Sequence, residues 1–394
     1  MIFSDVLLIV CFWACAACVF YAYVLYPLIL ALLSRLRPRP LVKREGWKEP
    51  VSIVLSVYNE EASIGPRILE LQELLRRTEL SGEILVVSDG STDRTVEIAR
   101  AQSQGGVRVL DFPRRRGKAA ALSAGCALAT NDILIFADAR QSWDVDSLRF
   151  LVENFADPSV GAVSGDLFLE SCSGAVAGVG LYWRYEKWIR RQESKIHSTV
   201  GVTGAICAVR RKLFRPIPAG TILDDVYWPL TVAMQGFRIV HEDRARAYDR
   251  LPERSRDEFR RKVRTLSGNF QLCALLPAAL SPWHNPLWFQ FVSHKICRLI
   301  VPWALMGLFV LALALEGPLY QFLLWSQIAF YALALLSGGK GTTLGQKTAA
   351  AAGAFVLLNA AAWVAFWVWV SGRAARSWHK VDYSIAAQAP PGLS

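Results

Sequence analysis

Charge is missing from four stretches of this 394-residue chain: residues 6–33, 299–315, 319–337 and 348–371 hold no Asp, Glu, Lys or Arg. Each is long enough, or nearly so, to cross about 30 Å of hydrocarbon. Because charged side chains are confined largely to the centre, the chain reads as a soluble domain set between membrane segments rather than as one soluble globule. No small-residue cleavage site follows the first run; Arg35, Arg37 and Arg39 do. That run is therefore a retained anchor and not a signal peptide. The eight cysteines are scattered, and the close set Cys11, Cys15 and Cys18 has no His or carboxylate companion in its apolar run. This argues against a metal or redox role and for small buried side chains. There is also no recognised nucleic-acid-binding module, and much of the surplus behind the net charge of +11 lies beside apolar or amphipathic segments. Anionic headgroups and diphosphates explain that placement better than nucleic acid does.

The basic cluster from Arg35 to Arg44 puts that end of the first span, and the domain after it, on the cytoplasmic side of a bacterial inner membrane. Three further spans would leave Lys340 and Lys347 inside but Arg373, Arg376 and Lys380 outside, against the charge rule. One C-terminal segment is accordingly a candidate for not spanning. The expected boundaries are an anchor over 1–34, a cytoplasmic catalytic domain over 35–256, amphipathic interfacial helices over 257–295, C-terminal membrane helices over 296–372 and a tail over 373–394.

From Val51 onward β-branched runs alternate with helical patterns, with strands expected over 51–57, 84–87, 107–110 and 133–137. Such alternation predicts an α/β fold, a parallel sheet with helices on both faces. Ligands of such sheets sit beyond the strands' carboxyl ends, where Tyr58, Asp89, Asp111 and Asp138 fall. Residues 181–196 and 257–271 are amphipathic, with stripes of Leu181, Tyr185, Trp188, Ile189 and Ile196, and of Phe259, Val263, Leu266 and Phe270. They are either surface helices or helices lying in the headgroup plane, and Trp283, Trp288 and Phe289 suit an interface.

Several short motifs carry chemistry. Tyr58-Asn59-Glu60 ends the first strand in polar groups able to face a base and its ribose, or it simply starts a helix. Asp89-Gly90-Ser91 follows the second strand; by itself it is a turn and a helix cap. Gly117-Lys118 opens a small-residue helix where phosphate oxygens are favoured, after Arg114, Arg115 and Arg116. Asp138-Ala139-Arg140 ends the fourth strand with a carboxylate able to reach a divalent cation on a diphosphate.

In order and spacing these motifs resemble family 2 glycosyltransferases of the GT-A, Rossmann-like nucleotide-binding fold. The flanking transmembrane and interfacial α-helices resemble the branch containing the cellulose, hyaluronan, chitin-oligosaccharide and poly-N-acetylglucosamine synthases. The resemblance runs over about residues 50 to 275 and implies donor contacts at Tyr58, Glu60, Asp89, Lys118, Asp138, Arg140 and Arg264. It implies an acceptor-side loop at Thr203-Gly204-Ala205, a general base at Asp225 positioned by Asp224, and Mg2+ or Mn2+ on Asp138. A base on one face and positive charge on the leaving group opposite give inversion, so an α-linked donor yields a β-linkage. The implied partners are a nucleotide sugar, UDP-linked as in that branch, a growing polysaccharide, membrane lipids, and export or synthase subunits.

Two departures matter. Arg140 stands where many relatives have a second carboxylate, and Arg261-Lys262-Val263-Arg264-Thr265 replaces a Gln-Arg-x-Arg-Trp motif, losing the tryptophan that stacks on an acceptor sugar. Transfer of one sugar to a ceramide, diacylglycerol or polyprenyl phosphate is therefore the alternative to polymerisation. A nucleotide-binding scaffold of an export complex is a third reading, opposed by the presence of Asp89, Lys118, Asp138 and Asp225.

Overall fold

The computed structural model describes residues 2–170, 177–250, 255–338 and 343–373. The strands are β1 (Val51–Val57), β2 (Gly82–Ser88), β3 (Val107–Asp111), β4 (Ile133–Ala137), β5 (Ser142–Trp143), β6 (Val160–Glu170), β7 (Ile206–Arg210) and β8 (Arg238–Arg250). Helices are interleaved with them. In chain order the helices are α1 (Ile2–Phe20), α2 (Tyr26–Leu36), α3 (Ile64–Arg77), α4 (Thr95–Ala101), α5 (Lys118–Leu128), α6 (Ser147–Glu153) and α7 (Ala177–Ile196). They continue as α8 (Asp224–Met234), α9 (Ser255–Leu275), α10 (Trp288–Phe291), α11 (Cys297–Ala314), α12 (Pro318–Leu335) and α13 (Leu344–Val370).

Among the described residues eight strands form one sheet in the order β3-β2-β1-β4-β7-β6-β8-β5. Alternate residues of β1 enter opposite cores: Ile53 and Leu55 pack with α3, α4 and α6, whereas Val54 packs with α5 and α8. Burial on both faces explains why β1 is almost uniformly apolar. The four strands read from the sequence appear in place and pair in parallel, with helices on both faces. The sheet as a whole is not parallel, which corrects the expectation. β7 runs antiparallel to β4 and β6, and β5 antiparallel to β8. β5 has only two residues, β8 is polar, and β6 and β8 shift register twice along their length, so their pattern is weak; β7 is short and apolar, and its direction is set by its neighbours.

Four helical segments are long and apolar enough to cross a membrane: Asp5–Leu36, Trp288–Ala314, Pro318–Leu335 and Leu344–Val370. All three C-terminal runs therefore qualify by length and composition. The marginal one is α12, whose 18 residues reach about 27 Å at 1.5 Å per residue. Lys340, Arg376 and Lys380, used in the charge-bias reading, lie outside the described residues.

Neither amphipathic stretch is an isolated surface helix. α7 packs on α2 and α13, burying Ile189 against Tyr26 and Leu30, although Trp188 stays exposed and the Leu181 side chain is outside the described set. α9 packs along α13, where Phe270 stacks on Trp369 at 5.7 Å between ring centroids. It also bonds to the loop before α8: Gln271 Nε2 donates to Gly220 O (2.9 Å) and its Oε1 accepts from Ile222 N (2.9 Å).

Candidate active site

The loops after β1 and β2 are tied to each other. Asn59 adopts a left-handed backbone (φ +53°), which its short polar side chain tolerates. Its amide donates to Ser91 Oγ (3.1 Å), its Oδ1 accepts from Thr92 N (2.8 Å), and Glu60 N donates to Thr95 Oγ1 (2.7 Å). The Glu60 carboxylate accepts from Ser63 Oγ (2.7 Å), so this segment is both the rim of the site and the start of α3.

Asp89, 3% exposed, accepts from the Arg116 amide (2.6 Å) and the Gly117 amide (3.0 and 2.9 Å). A carboxylate held by backbone N–H groups fixes the loop that delivers Lys118. Gly90 permits this fold of the loop: its φ is +71°, and a Cβ there would lie 2.6 Å from the backbone of Arg114 and Arg115. The arginine run is more than a solvated loop, because the Arg115 guanidinium lies 4.1 Å over the Tyr58 ring and that of Arg116 lies 4.7 Å over Phe112.

Lys118 is the first residue of α5, and its Nζ donates to Asp138 Oδ1 at 2.8 Å. A Cβ built on Gly204 would stand 3.9 Å from that Nζ and 3.6 Å from Asp225 Cβ, so Lys118 and Asp225 flank one glycine. Val202 N donates to Asp225 O (2.9 Å), which seats the 201–205 loop on the start of α8. Thr203 is fixed there by Ser164, whose Oγ accepts from its amide at 3.0 Å, and by Arg190, which donates to Thr203 Oγ1 at 3.2 Å. Ala205 O accepts from Trp143 Nε1 at 3.2 Å.

The charges around Gly204 act on one another. Burial, then repulsion from Asp224, pushes the Asp225 carboxyl up to about 6, while Arg190, Lys118 and Lys295 restrain the rise. Asp224 is also raised, by burial and by Asp138, against Lys118. Burial disfavours the Lys118 ammonium, but Asp138, Asp224 and Asp225 outweigh it and keep the lysine above its ordinary range. Arg264 faces Asp224 and Asp225 from α9, its pKa lowered by burial. Arg140 is exposed at the rim, and Asp111 is exposed at the end of the edge strand β3. Thr265 is exposed and its Oγ1 donates to Arg261 O (3.0 Å), so no aromatic ring stands at that position.

Arg67 was not singled out by the sequence reading. It is 2% exposed, donates from Nε to Asp138 O (3.1 Å) and from Nη1 to Glu70 (2.8 Å), and stacks 4.8 Å over Trp143. Its signal was positional: Ile64, Arg67, Ile68 and Leu71 occupy one helical stripe, where a lone arginine must be paired. Arg190 and Lys295 gave no such signal, since Arg190 lies among the basic residues of an amphipathic helix and Lys295 in the helical segment that leads into α11.

Residues 52–217 match the sequence family described as Glycosyl transferase family 2. Poly-beta-1,6-N-acetyl-D-glucosamine synthase of Staphylococcus aureus strain COL is 24% identical over 231 residues, which cover 57% of this chain and 55% of that protein. The Staphylococcus epidermidis enzyme of that name is 24% identical over 240 residues, 59% of this chain and 58% of its own. The chain thus spans somewhat over half the length of these relatives. A mannosyltransferase from Pyrobaculum calidifontis, solved with GDP-Man and Mn2+, superposes with a TM-score of 0.71 over 93% of this chain and 99% of its own, at 22% identity. That likeness is one of fold. Together with the sheet, the Asp89 and Lys118 loops and the Asp224-Asp225 pair, these matches show that the chain carries a family 2 glycosyltransferase domain of the GT-A fold.

Proposed function

We propose that this protein is an inverting glycosyltransferase that moves a sugar from a nucleoside diphosphate, UDP by preference, onto a growing β-linked polysaccharide at the cytoplasmic face of a bacterial inner membrane. The observation that carries the reading is the convergence on Gly204 of Lys118 and Asp225, with Asp138 bonded to that lysine and the Asp225 carboxyl near 6. A carboxylate of that basicity is largely ionised at neutral pH and accepts a hydroxyl proton more readily than an ordinary aspartate. Asp225 takes the acceptor proton, and Asp224 holds its affinity for that proton high. Lys118 meets the charge that develops on the departing diphosphate. Tyr58, with Arg115 across its ring, offers a stacking surface to the base, and Asp89 keeps the Arg116-Gly117 amides and Lys118 in place.

The donor set also suits Mg2+ or Mn2+. Asp138, Asp224 and Asp225 offer hard oxygen ligands close to a single lysine. Asp138 would hold the ion, which when bound would neutralise diphosphate oxygens.

A second reading is transfer of one sugar to a lipid acceptor. Thr265 favours it, because no ring is present there to hold a polymer in register. Purified protein in nanodiscs, given radiolabelled UDP- and GDP-sugars with either metal, separates the two. Long water-soluble carbohydrate that disappears with Asp225→Asn supports the synthase; a single-sugar, solvent-extractable lipid supports the alternative. Nucleotide binding without turnover of any donor refutes both.

A further inference from the structure

A polar cavity of about 220 Å³ lies apart from the residues of the candidate active site. Arg39, Lys43, Arg191, Lys195, His241 and Asp243 line it. Four fixed cations face one carboxylate. Two of the four are already committed: Lys43 to Glu242 at 2.6 Å, and Arg191 to Asp243 at 2.7 Å and Asp166 at 3.4 Å. Among the described residues Arg39 and Lys195 have no carboxylate partner, and their chain segments are joined by a bond from Arg39 N to Lys195 O (2.8 Å).

The cavity also holds an unsatisfied group. The His241 side chain is 2% exposed; its Nε2 pairs with Asp243 Oδ1 at 3.0 Å, and its Nδ1 is buried without a hydrogen-bond partner. A buried polar nitrogen left without a partner costs about 1–3 kcal/mol, so a ligand able to accept from it is favoured.

Charge decides which ligand. Atoms of Asp166, His241 and Asp243 lie within 4.8 Å of one another, a spacing that could hold a metal ion. Asp166, however, is already neutralised by Lys187 (2.9 Å) and Arg191 (3.4 Å), and a divalent cation would enter a pocket that also contains Arg39, Lys43 and Lys195. A tetrahedral anion offers acceptors to arginine, lysine and imidazole together. Position narrows the source. The first apolar segment ends at Leu36, so Arg39 follows within about 10 Å of extended chain, which sets the cavity at the membrane surface.

We propose that this cavity is a binding site for a phosphate-bearing anion, and that the headgroup phosphate of an anionic lipid is the source its position selects. α7 runs from the cavity, at Arg191 and Lys195, to the acceptor loop, where Arg190 holds Thr203. A bound headgroup therefore steadies one wall of the active site.

The test uses the full chain in nanodiscs of phosphatidylcholine alone or mixed with phosphatidylglycerol. Lipid retained after release is read by native mass spectrometry, and thermal unfolding is followed in parallel. Wild type should retain phosphatidylglycerol and gain thermal stability from it. The double variant Arg39→Gln, Lys195→Gln should bind it about tenfold or more weakly and lose the thermal shift. Should that variant lose monodisperse elution, Lys195→Gln alone carries the comparison. Inorganic phosphate titrated into phosphatidylcholine discs separates the sources: stabilisation that needs Arg39 and Lys195, with no preference for phosphatidylglycerol, upholds the phosphate site and overturns the lipid as its occupant. Equal lipid retention by wild type and variant, or stabilisation by Mn2+ alone that His241→Asn removes, overturns the site.

Discussion

In the parallel half of the sheet, β3-β2-β1-β4, each active-site group stands at the end of the strand just before it in sequence: Tyr58 after β1, Asp89 after β2, Asp138 after β4. The mixed half, β7-β6-β8-β5, works otherwise. There Thr203 is held by Ser164 of β6 and by Arg190 of α7, and Asp225 opens a helix that precedes β8. On the proposed function, the donor side is built locally, strand by strand, whereas the acceptor side depends on packing between distant segments and on helices that dock against the long apolar helices. Repeating βα units place ligand-facing residues by topology alone, so the donor side needs little long-range specification. The acceptor side has no such rule behind it and is free to vary.

If the two halves divide the chemistry in this way, their variants should fail differently. The largest effect is expected for Asp225→Asn, which removes the base: transfer falls about 10²–10⁴-fold with donor binding kept. The same variant should be more thermally stable. A carboxyl raised from its unfolded range near 4 to about 6 opposes folding when ionised, so its contribution to stability is present at low pH and is lost as pH rises through 6. Loss of stability in this variant would mean that Asp225 is a structural cap.

Lys118→Met should lower kcat/KM by about 10²–10³-fold, mainly through the donor. Its second signature is in the pH profile. Wild-type activity should fall on the acid side with an apparent pKa near 6, and since Lys118 restrains that value, its removal should move the limb to higher pH. An unmoved limb would separate the lysine from the base. Arg67→Lys should cost about 2 kcal/mol of stability, with a smaller loss of activity, because an ammonium cannot reach Asp138 O and Glu70 together in the arginine's geometry; equilibrium unfolding checks this. Smallest of all, Thr203→Val should raise the acceptor KM about fivefold and leave nucleotide affinity unchanged, read by titration of UDP.

Legibility followed the same division. The apolar runs of β1 and β4 were readable to the residue, because strands buried on both faces are almost continuously apolar, with only Ser52 and Ser56 interrupting β1. The Asp89 and Lys118 motifs were readable because glycine turns mark them. Strand β8 was not, since Arg238–Arg250 alternates charge with small residues and takes its pairing from β6. The parallel sheet expected for the whole domain was therefore only half of what formed. Arg67 and Arg190 were passed over because an arginine's role depends on what it reaches, and an amphipathic pattern records only which side of the helix it occupies.

The sequence by itself determined four apolar helices, a parallel nucleotide-binding half-sheet, and the identity of the groups at its edge, because those features rest on hydrophobic runs and short-range turn chemistry. Only the tertiary structure decided that Lys118, bonded to Asp138, and Asp225 meet at Gly204, that burial and Asp224 lift the Asp225 carboxyl to about 6, and that a cationic cavity lies beside the end of the first apolar segment. Proximity between residues a hundred positions apart, and the desolvation that comes with it, arise from the packing of the whole domain and are written in no local pattern.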